Sequence, residues 1–409
     1  MQRYLILGCR VRCGMVRFTV RRARKVFNFV SFSVLFLLLS VFIRPKKGNK
    51  KIIGFASAQF SGNIKYLYLE MKKYPDAKVL FVTGEKEKIE TAKQIGVDAR
   101  YSMDFWSIPL FLRTHAWVTS HGSNYIPFFG WMRRILPFWK WKRNSKWIDV
   151  WHGLGWVHTE RGKMLRNYDL AIDTSEFFKK YYSKGDPNIA AKIKLLGYPR
   201  NDPLVDGCWS REQIEKQLRI PIGRKNILYA TTWGHKYEKK LFPSEDTTRF
   251  IMEVDEFCEK NNCNFLIRMH PNWYMRDVKQ RNLLKIRLKN AKWVFHVSPY
   301  KYTDTQPLLY ISDVLITDWS SIANDYILLN RPMIFLETRF PGEKFVLTPE
   351  DRAGYIAENK SEFFEALYES IMNPNLYEEK RRKKLEKLYK YINGNSAKRC
   401  AEEILKLIA

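Results

Sequence analysis

The chain has 409 residues, which predicts two folded domains, and its 45% hydrophobic and 15% aromatic content excludes wholesale disorder. Lys and Arg outnumber Asp and Glu by 71 to 42, and the formal net charge of +29 predicts an anionic partner such as nucleic acid, an acidic bilayer, a polyanionic polymer or a phosphorylated substrate. The six cysteines form no CxxC pair and no metal-ligand spacing, which argues against a disulfide framework and favours a reducing compartment.

The first predicted element is a hydrophobic helix near the N-terminus. Residues 1–69 contain no Asp or Glu, and eight basic residues precede the uncharged run Val26–Ile43. At about 1.5 Å per residue, this eighteen-residue run extends roughly 27 Å, just long enough to span the hydrocarbon of a bilayer. Basic residues flank it on both sides and no small-residue cleavage site follows. We therefore interpret residues 1–50 as a basic arm and a membrane anchor rather than a signal peptide or a buried core helix.

Strands and helices alternate from residue 51 onward. Helical spacing is found over Asn63–Lys73 and Lys86–Ile95. Short apolar runs predict the strands Lys51–Ser57, Ala77–Thr83, Ala116–Ser120, Lys146–Val150 and Leu170–Asp173. This alternation predicts a parallel, doubly wound sheet, in which ligands gather at the carboxyl ends of the strands.

A second set of α/β units begins near residue 224. The predicted strands are Asn226–Ala230, Asn264–Met269, Trp293–Val297, Ile311–Ile316 and Pro332–Leu336. The predicted helices are Thr248–Asn261, Ser321–Leu329 and the charged chain from Ser361 onward. Pro203–Gly223 is interpreted as the linker, so the predicted domains are residues 51–210 and 211–409.

Two histidines follow predicted strands at positions where a substrate can approach. WHGLG (Trp151–Gly155) places His152 beside two glycines, and an imidazole there could deprotonate an acceptor hydroxyl. RMHP places Arg268 and His270 at the end of a strand of the second half, where a cationic or donor histidine could stabilise phosphate oxygens. On spacing alone, each histidine could equally be a structural, hydrogen-bonded side chain.

Three further motifs supply polar groups. ITDWSS (Ile316–Ser321) is a strand, a polar turn and a helix start, which predicts an anion site or an ordinary N-cap. GYPRND places Arg200 in a rigid turn, and TTWGHK closes a strand with two hydroxyls, one of them from Thr232. The Trp- and Lys/Arg-rich stretch Trp131–Trp147 is interpreted as a membrane-surface or acceptor-binding element, or as a basic loop with tryptophans in the core. HExxH, P-loop, GxSxG and tight DxD motifs are absent from the sequence.

In this order and spacing, WHG, GYPRND, ILYATTW, RMHP and DVLITDWSSIANDYILLNRPMIF resemble the CDP-glycerol glycerophosphotransferase family of teichoic-acid and capsule synthesis. The resemblance covers about residues 52–405. The sequence departs from the family pattern at Leu154-Gly155 in place of Thr-Pro, at Thr231 in place of Pro, at Trp319 in place of Tyr and at Asn393 in place of Asp. These departures leave the acceptor and the polyol open.

The resemblance implies an α/β, GT-B-like fold, with two Rossmann-like domains facing a cleft and no metal or other cofactor. It implies transfer of glycerol phosphate from CDP-glycerol to a hydroxyl of a lipid-linked or polymeric acceptor, with CMP as the leaving group. By motif match His152 is the general base, and His270 stabilises the phosphates. The implied substrate contacts are Arg200, Thr232, Arg268, Thr317, Asp318, Ser320 and Ser321.

The expected partners are CDP-glycerol, a lipid-linked or polyanionic acceptor and an anionic membrane surface, without nucleic acid. Because CDP-activated donors are made in the cytoplasm, the expected location is the cytoplasmic face of the cell membrane. Val26–Ile43 would then be a re-entrant or interfacial anchor, or a span with its N-terminus outside. The chain length favours a single-addition enzyme or a compact capsule polymerase. The alternatives are a CDP-ribitol or nucleotide-sugar transferase of the same fold, and a basic membrane- or polyanion-binding protein without activity.

Overall fold

The computed structural model describes residues 26–45, 48, 50–120, 145–156, 159–232, 247–271, 278–337 and 344–409. The predicted basic arm and most of the Trp131–Trp147 stretch lie outside these residues. The chain divides into two compact units, one formed by Met1–Phe60, Lys72–Ile148 and Leu407–Ala409, the other by Ser61–Met71 and Asp149–Lys406. The predicted domain boundary at residues 210 and 211 stays a prediction.

Both predicted sets of α/β units are present in the described chain. The strands are β1 (Lys51–Ala56), β2 (Ala77–Thr83), β3 (Ala99–Tyr101), β4 (Ala116–Thr119), β5 (Lys146–Asp149), β6 (Leu170–Asp173), β7 (Ile193–Leu195), β8 (Lys225–Tyr229), β9 (Cys263–Ile267), β10 (Val294–His296), β11 (Val314–Thr317), β12 (Met333–Leu336) and β13 (Tyr355–Ala357). The helices are α1 (26–42), α2 (Gly62–Met71), α3 (Lys86–Gln94), α4 (Ile108–Leu112), α5 (Arg161–Leu165), α6 (Glu176–Ser183), α7 (Pro187–Lys192), α8 (Asp202–Asp206), α9 (Arg211–Leu218), α10 (Thr247–Lys260), α11 (Val278–Arg287), α12 (Gln306–Ile311), α13 (Ile322–Tyr326), α14 (Lys360–Met372), α15 (Glu378–Leu388) and α16 (Ser396–Leu407).

The first unit contains the parallel strands β3-β2-β1-β4 in this order, and β5 lies next to β4. Gly54 of β1 pairs with Trp117 of β4, and a Cβ on Gly54 would lie 2.4 Å from the Trp117 ring, so this close approach requires glycine. The strand order reverses between β1 and β4. Ser57 Oγ and Ser120 Oγ, which follow these two strands, are 3.5 Å apart at that point.

Helix α1 packs one face against the first unit. Phe32 and Phe36 are fully buried, and the Phe32 ring meets Phe105 edge-on with ring centroids 5.4 Å apart. Within the described residues this helix covers positions 26–42 of the apolar run that was predicted to span a bilayer. No helix within the described residues is long and apolar enough to cross a membrane. The predicted spanning helix is therefore not supported.

The second unit contains a six-stranded parallel sheet in the order β10-β9-β8-β11-β12-β13. Counted from β8, this order is 3-2-1-4-5-6, the doubly wound arrangement of dinucleotide-binding folds. Phe250 and Val254 of α10 and Phe363 and Leu367 of α14 pack into its hydrophobic core. Strands β6 and β7 also pair in parallel in this unit. The prediction of an α/β fold with two parallel sheets is confirmed.

Three predicted elements differ from the structure. The strand predicted at Ile311–Ile316 begins only at Val314, because Ile311 ends α12 and Asp313 accepts from the Arg211 guanidinium at 2.9 and 2.7 Å. The predicted linker Pro203–Gly223 contains most of α8 and all of α9, and Ser210 caps α9. The helix predicted over Ser321–Leu329 is the short α13 followed by a 3-10 turn.

Candidate active site

The Trp-His-Gly turn follows β5 and carries His152. Trp151 has a φ of 43°, in the left-handed region that residues with a side chain disfavour, and Gly153 has a φ of 151°. A Cβ on Gly153 would lie 2.8 Å from an Arg200 nitrogen and 3.0 Å from Ser321 Oγ, so the close packing here requires glycine. Trp151 and Gly153 are buried, whereas His152 between them is exposed. The turn thus keeps an unfavourable backbone shape and leaves the imidazole accessible.

A buried charge network is bonded to the main chain of the turn. Arg161 donates to Asp149 at 2.9 Å and to Asp173 at 2.5 Å, and all three side chains are fully buried. Asp149 also accepts from the Trp151 main-chain N–H at 3.2 Å, and the Arg161 guanidinium lies 5.2 Å from the centre of the Trp151 ring. Burial raises the pKa of both carboxyls, although the Arg161 charge opposes that rise. Arg161 thus couples Asp149 to Asp173 within the second unit.

Two distant segments hold the main-chain carbonyls of the turn. Asn63 of α2 donates through Nδ2 to the carbonyls of Val150 and Trp151 at 2.8 and 2.9 Å. The Arg200 guanidinium donates to the carbonyl of the next residue, His152. The Arg200 main-chain N–H also donates to Asn63 Oδ1 at 3.1 Å. Three consecutive carbonyls therefore accept hydrogen bonds from two linked side chains.

Arg200 also connects the turn to α13. Its guanidinium donates to Asp325 at 2.7 Å, and Gln306 donates to the same carboxylate at 3.2 Å. Burial lowers the pKa of Arg200, but the Asp325 charge more than compensates and leaves the pKa above its ordinary value. The side chain of Arg200, predicted as a substrate contact, is thus buried and bonded to protein groups.

The ITDWSS segment forms an ordered turn at the switch point of the second sheet, which is the point between β8 and β11 where the strand order reverses. Asp318 follows β11 and accepts from the main-chain N–H and the hydroxyl of Thr232, which follows β8, at 2.9 and 2.6 Å. Burial raises the pKa of Asp318 to about 6 against these hydrogen bonds. Thr317 is fully buried and donates its hydroxyl to the Ala230 carbonyl at 2.6 Å. Thr232 and Asp318 therefore join the two strands between which the strand order reverses.

The Trp-His-Gly turn packs directly on this segment. Trp156 Nε1 donates to the Ser320 carbonyl at 2.9 Å, and Asn324 Nδ2 donates to the Leu154 carbonyl at 2.7 Å. The Trp156 and Trp319 rings meet edge-on at 5.6 Å. Ser320 is only partly buried, as is Ser321. The structure thus brings the His152 turn together with the predicted anion-binding serines.

Arg268 and His270 follow β9, which is separated from β11 by β8. Arg268 is buried and donates to the Tyr302 carbonyl at 2.7 Å and to Thr305 Oγ1 at 3.2 Å. Burial lowers the pKa of Arg268 to about 10, so the guanidinium stays a cation at neutral pH. His270 is partly exposed. These two residues lie at the same carboxyl edge of the sheet as Thr232 and Asp318, but they follow the neighbouring strand β9.

Sequence reasoning missed the residues that hold the turn. Asp149 comes just before the Trp-His-Gly motif, and an acidic residue in an apolar strand is a sign of buried pairing. Asp325 gives the same signal within the otherwise apolar SIANDYILL stretch. Asn63 and Arg161 give no local signal, because their partners lie far along the chain. Within the described residues, no three His, Cys, Asp or Glu side chains form a group that could hold a metal ion.

Comparisons with known proteins bear on the family and the fold of the chain. The sequence pattern of the family described as CDP-Glycerol:Poly(glycerophosphate) glycerophosphotransferase matches residues 37–406. The teichoic acid ribitol-phosphate polymerase TarL of Staphylococcus aureus (strain NCTC 8325 / PS 47) is 27% identical over 94% of this chain and 68% of its own length. The teichoic acid glycerol-phosphate transferase of the same strain is 24% identical over 96% of this chain and its full length. A variant of the wall teichoic acid polymerase TagF has a similar fold, with a TM-score of 0.72 and 21% identity over 96% of this chain and 97% of that structure.

Proposed function

Since the chain belongs to the CDP-glycerol:poly(glycerophosphate) glycerophosphotransferase family, we propose that it transfers glycerol phosphate from CDP-glycerol to a hydroxyl of a lipid-linked or polymeric cell-wall or capsule acceptor. The observation that carries this proposal is the packing of the accessible His152 turn on Ser320 and Ser321. A base and an anion-binding turn are the two parts that such a transfer needs.

In the proposed reaction the acceptor oxygen attacks the β-phosphorus of CDP-glycerol. A phosphorus–oxygen bond forms to the acceptor, the bond from that phosphorus to the bridging oxygen breaks, and CMP leaves with the bridging oxygen. His152 removes the proton of the acceptor hydroxyl as the new bond forms. The main-chain carbonyls around His152 are held by Asn63 and Arg200, so the backbone under the imidazole is fixed before the substrate binds.

The proposed donor site lies at the carboxyl edge of the second sheet. Ser320 and Ser321 would hold the pyrophosphate through hydroxyl and main-chain N–H groups, with Thr317 and Asp318 shaping the turn. Thr232 would lie beside it, because it bonds to Asp318 across the switch point. His270 and Arg268 would stabilise the phosphate oxygens from the end of β9. Arg200 would act on the donor only indirectly, since its guanidinium is bonded to His152 and Asp325.

A CDP-ribitol donor is the second candidate, because TarL is named as a ribitol-phosphate polymerase. Release of CMP from CDP-glycerol, CDP-ribitol and common nucleotide sugars, measured with a defined lipid-linked acceptor, separates the candidates. We expect CDP-glycerol to be used about tenfold faster than CDP-ribitol or more, since a pocket built for one polyol discriminates by that order. Turnover of CDP-ribitol alone would contradict the proposed donor. The length of the product on that acceptor tells single addition from polymerisation.

We also propose that the chain binds the cytoplasmic face of the cell membrane through the outer face of α1. Val26, Val30, Val34, Leu38 and Phe42 recur every four residues on this face and are 62%, 47%, 50%, 60% and 84% exposed. A helix that keeps one apolar face outward beside basic flanking residues suits the interface of an anionic bilayer. The net charge of +29 supports the same partner.

Replacing Val34 and Leu38 together by Glu should weaken binding to phosphatidylglycerol-containing vesicles by at least about tenfold, because two apolar side chains leave the interface and two negative charges enter it. Vesicle co-sedimentation of the full chain measures the effect. The matched control replaces Ile95 and Ile222, which are 64% and 48% exposed elsewhere, by Glu. Equal binding by the two double variants would show that α1 does not face the lipid.

A further inference from the structure

Helix α2 belongs to the second unit although the chain on either side of it belongs to the first. Its second residue, Asn63, is 2% exposed, and its amide donates two hydrogen bonds and accepts one. A buried amide with both donors and its oxygen in use is fixed in orientation. Nothing in the motifs of the sequence pointed to this residue.

The two carbonyls that Asn63 holds belong to the two peptide groups that flank Trp151. Trp151 is the residue with a φ of 43°, so its backbone would relax toward a more ordinary shape if these peptide groups were free to rotate. The second of the two peptide groups leads into His152. The direction in which the imidazole leaves the chain therefore depends on the Asn63 amide.

Arg200 extends the same arrangement by one residue. It holds the His152 carbonyl with its guanidinium and holds Asn63 with its main-chain N–H. Asp325 fixes the other end of the guanidinium on α13. Asn63 is thus the only one of these three side chains that touches two peptide groups of the turn directly.

We propose that Asn63 is a positioning residue that sets the direction of the His152 imidazole for catalysis. The proposal rests on the proposed function for its kinetic consequence, but its structural part concerns the His152 ring alone. Asn63 touches neither the serines of the anion site nor the groups after β9 in any of its three hydrogen bonds. Its loss should therefore slow the chemical step without weakening donor binding.

The test is Asn63→Ala in the full chain, with Asn63→Ser as a second variant that keeps a hydroxyl donor. The kcat for CMP release should fall by about 10- to 100-fold while the KM for CDP-glycerol changes by less than about twofold, since a small misplacement of a base acts on kcat. Carbon-13 labelling of the histidine rings should show a shifted His152 signal and an unchanged His270 signal. The Ser variant should lie between wild type and the Ala variant on both measurements.

Asn226→Ala is the matched control. Asn226 is also a fully buried amide of the second unit, donating to Glu215 at 2.7 Å and accepting from Asn264 at 2.9 Å, but it lies at the amino end of β8. An equal loss of kcat in both variants would mean a general structural effect and would overturn the proposal. An unshifted His152 signal in Asn63→Ala would overturn it as well. A shifted His152 signal together with no turnover of CDP-glycerol by the wild type would support the positioning role and reject the proposed function.

Discussion

Replacing His152 by Asn should reduce the rate of CMP release by about 10²–10⁴-fold, the usual contribution of a general base. The melting temperature should change little, because the side chain is exposed and the substitution keeps the main-chain carbonyl through which Arg200 holds the turn. Binding of CDP-glycerol should also persist, since the proposed pyrophosphate contacts come from Ser320 and Ser321. Steady-state kinetics, calorimetric donor binding and thermal unfolding of the same protein sample separate these three effects.

His296 supplies the control for the His152 experiment. It lies in β10, and burial lowers its pKa to about 4. A base whose pKa is lowered by folding binds fewer protons when folded, so its contribution makes the protein more stable as pH rises from about 4 to about 6.5. His296→Asn should therefore alter stability in that window and leave turnover at neutral pH intact. A His152→Asn variant with wild-type kcat, or a His296→Asn variant with an equal loss, would argue against the assigned base.

The sequence predicts those parts of the fold whose signals are local. Runs such as AKVLFVT and NILYA are short, apolar and bounded by polar residues, and they form β2 and β8. Strands β3, β7 and β13 have only three residues each and escaped prediction, whereas the equally short β10 was predicted because it lies within the longer run Trp293–Val297. The parallel, doubly wound character of the sheets follows from the α/β alternation, but the short helices inside Pro203–Gly223 do not.

For the candidate site, the sequence located the turns but not the way they are held. His152 and Ser321 were predicted from motifs, and the structure brings their turns into contact through Gly153. Arg200 was expected to contact substrate because the family resemblance implied it, and the rigid turn that carries it was weak evidence alone. Its actual partners, His152 and Asp325, lie 48 and 125 positions away in the sequence, and no local pattern encodes such a pairing. Long-range partners of this kind become visible only in the folded chain.

The largest expected loss of stability comes from Arg161. Replacing it by Met leaves the fully buried carboxyls of Asp149 and Asp173 without their cation. Removing one partner of a buried ion pair costs about 3–5 kcal/mol, because an uncompensated charge remains inside. Urea unfolding of Arg161→Met should show a loss in the free energy of unfolding of that size. Arg166→Met, an exposed position at the end of α5, should change it by no more than about 0.5 kcal/mol.

The dependence of this loss on pH identifies its cause. Burial already raises the pKa of Asp149 and Asp173, and loss of the opposing Arg161 charge should raise both pKa values further. At pH values above the ordinary carboxyl pKa of 3.8, the folded variant then binds more protons than the unfolded chain. Its free energy of unfolding should therefore fall as pH rises from about 5 to 8. Adding Asp149→Asn and Asp173→Asn to Arg161→Met should restore most of the loss and remove that slope. An equal loss at pH 5 and pH 8, or no recovery in the triple variant, would mean that Arg161 acts by packing against Trp151 and Tyr182 rather than by charge.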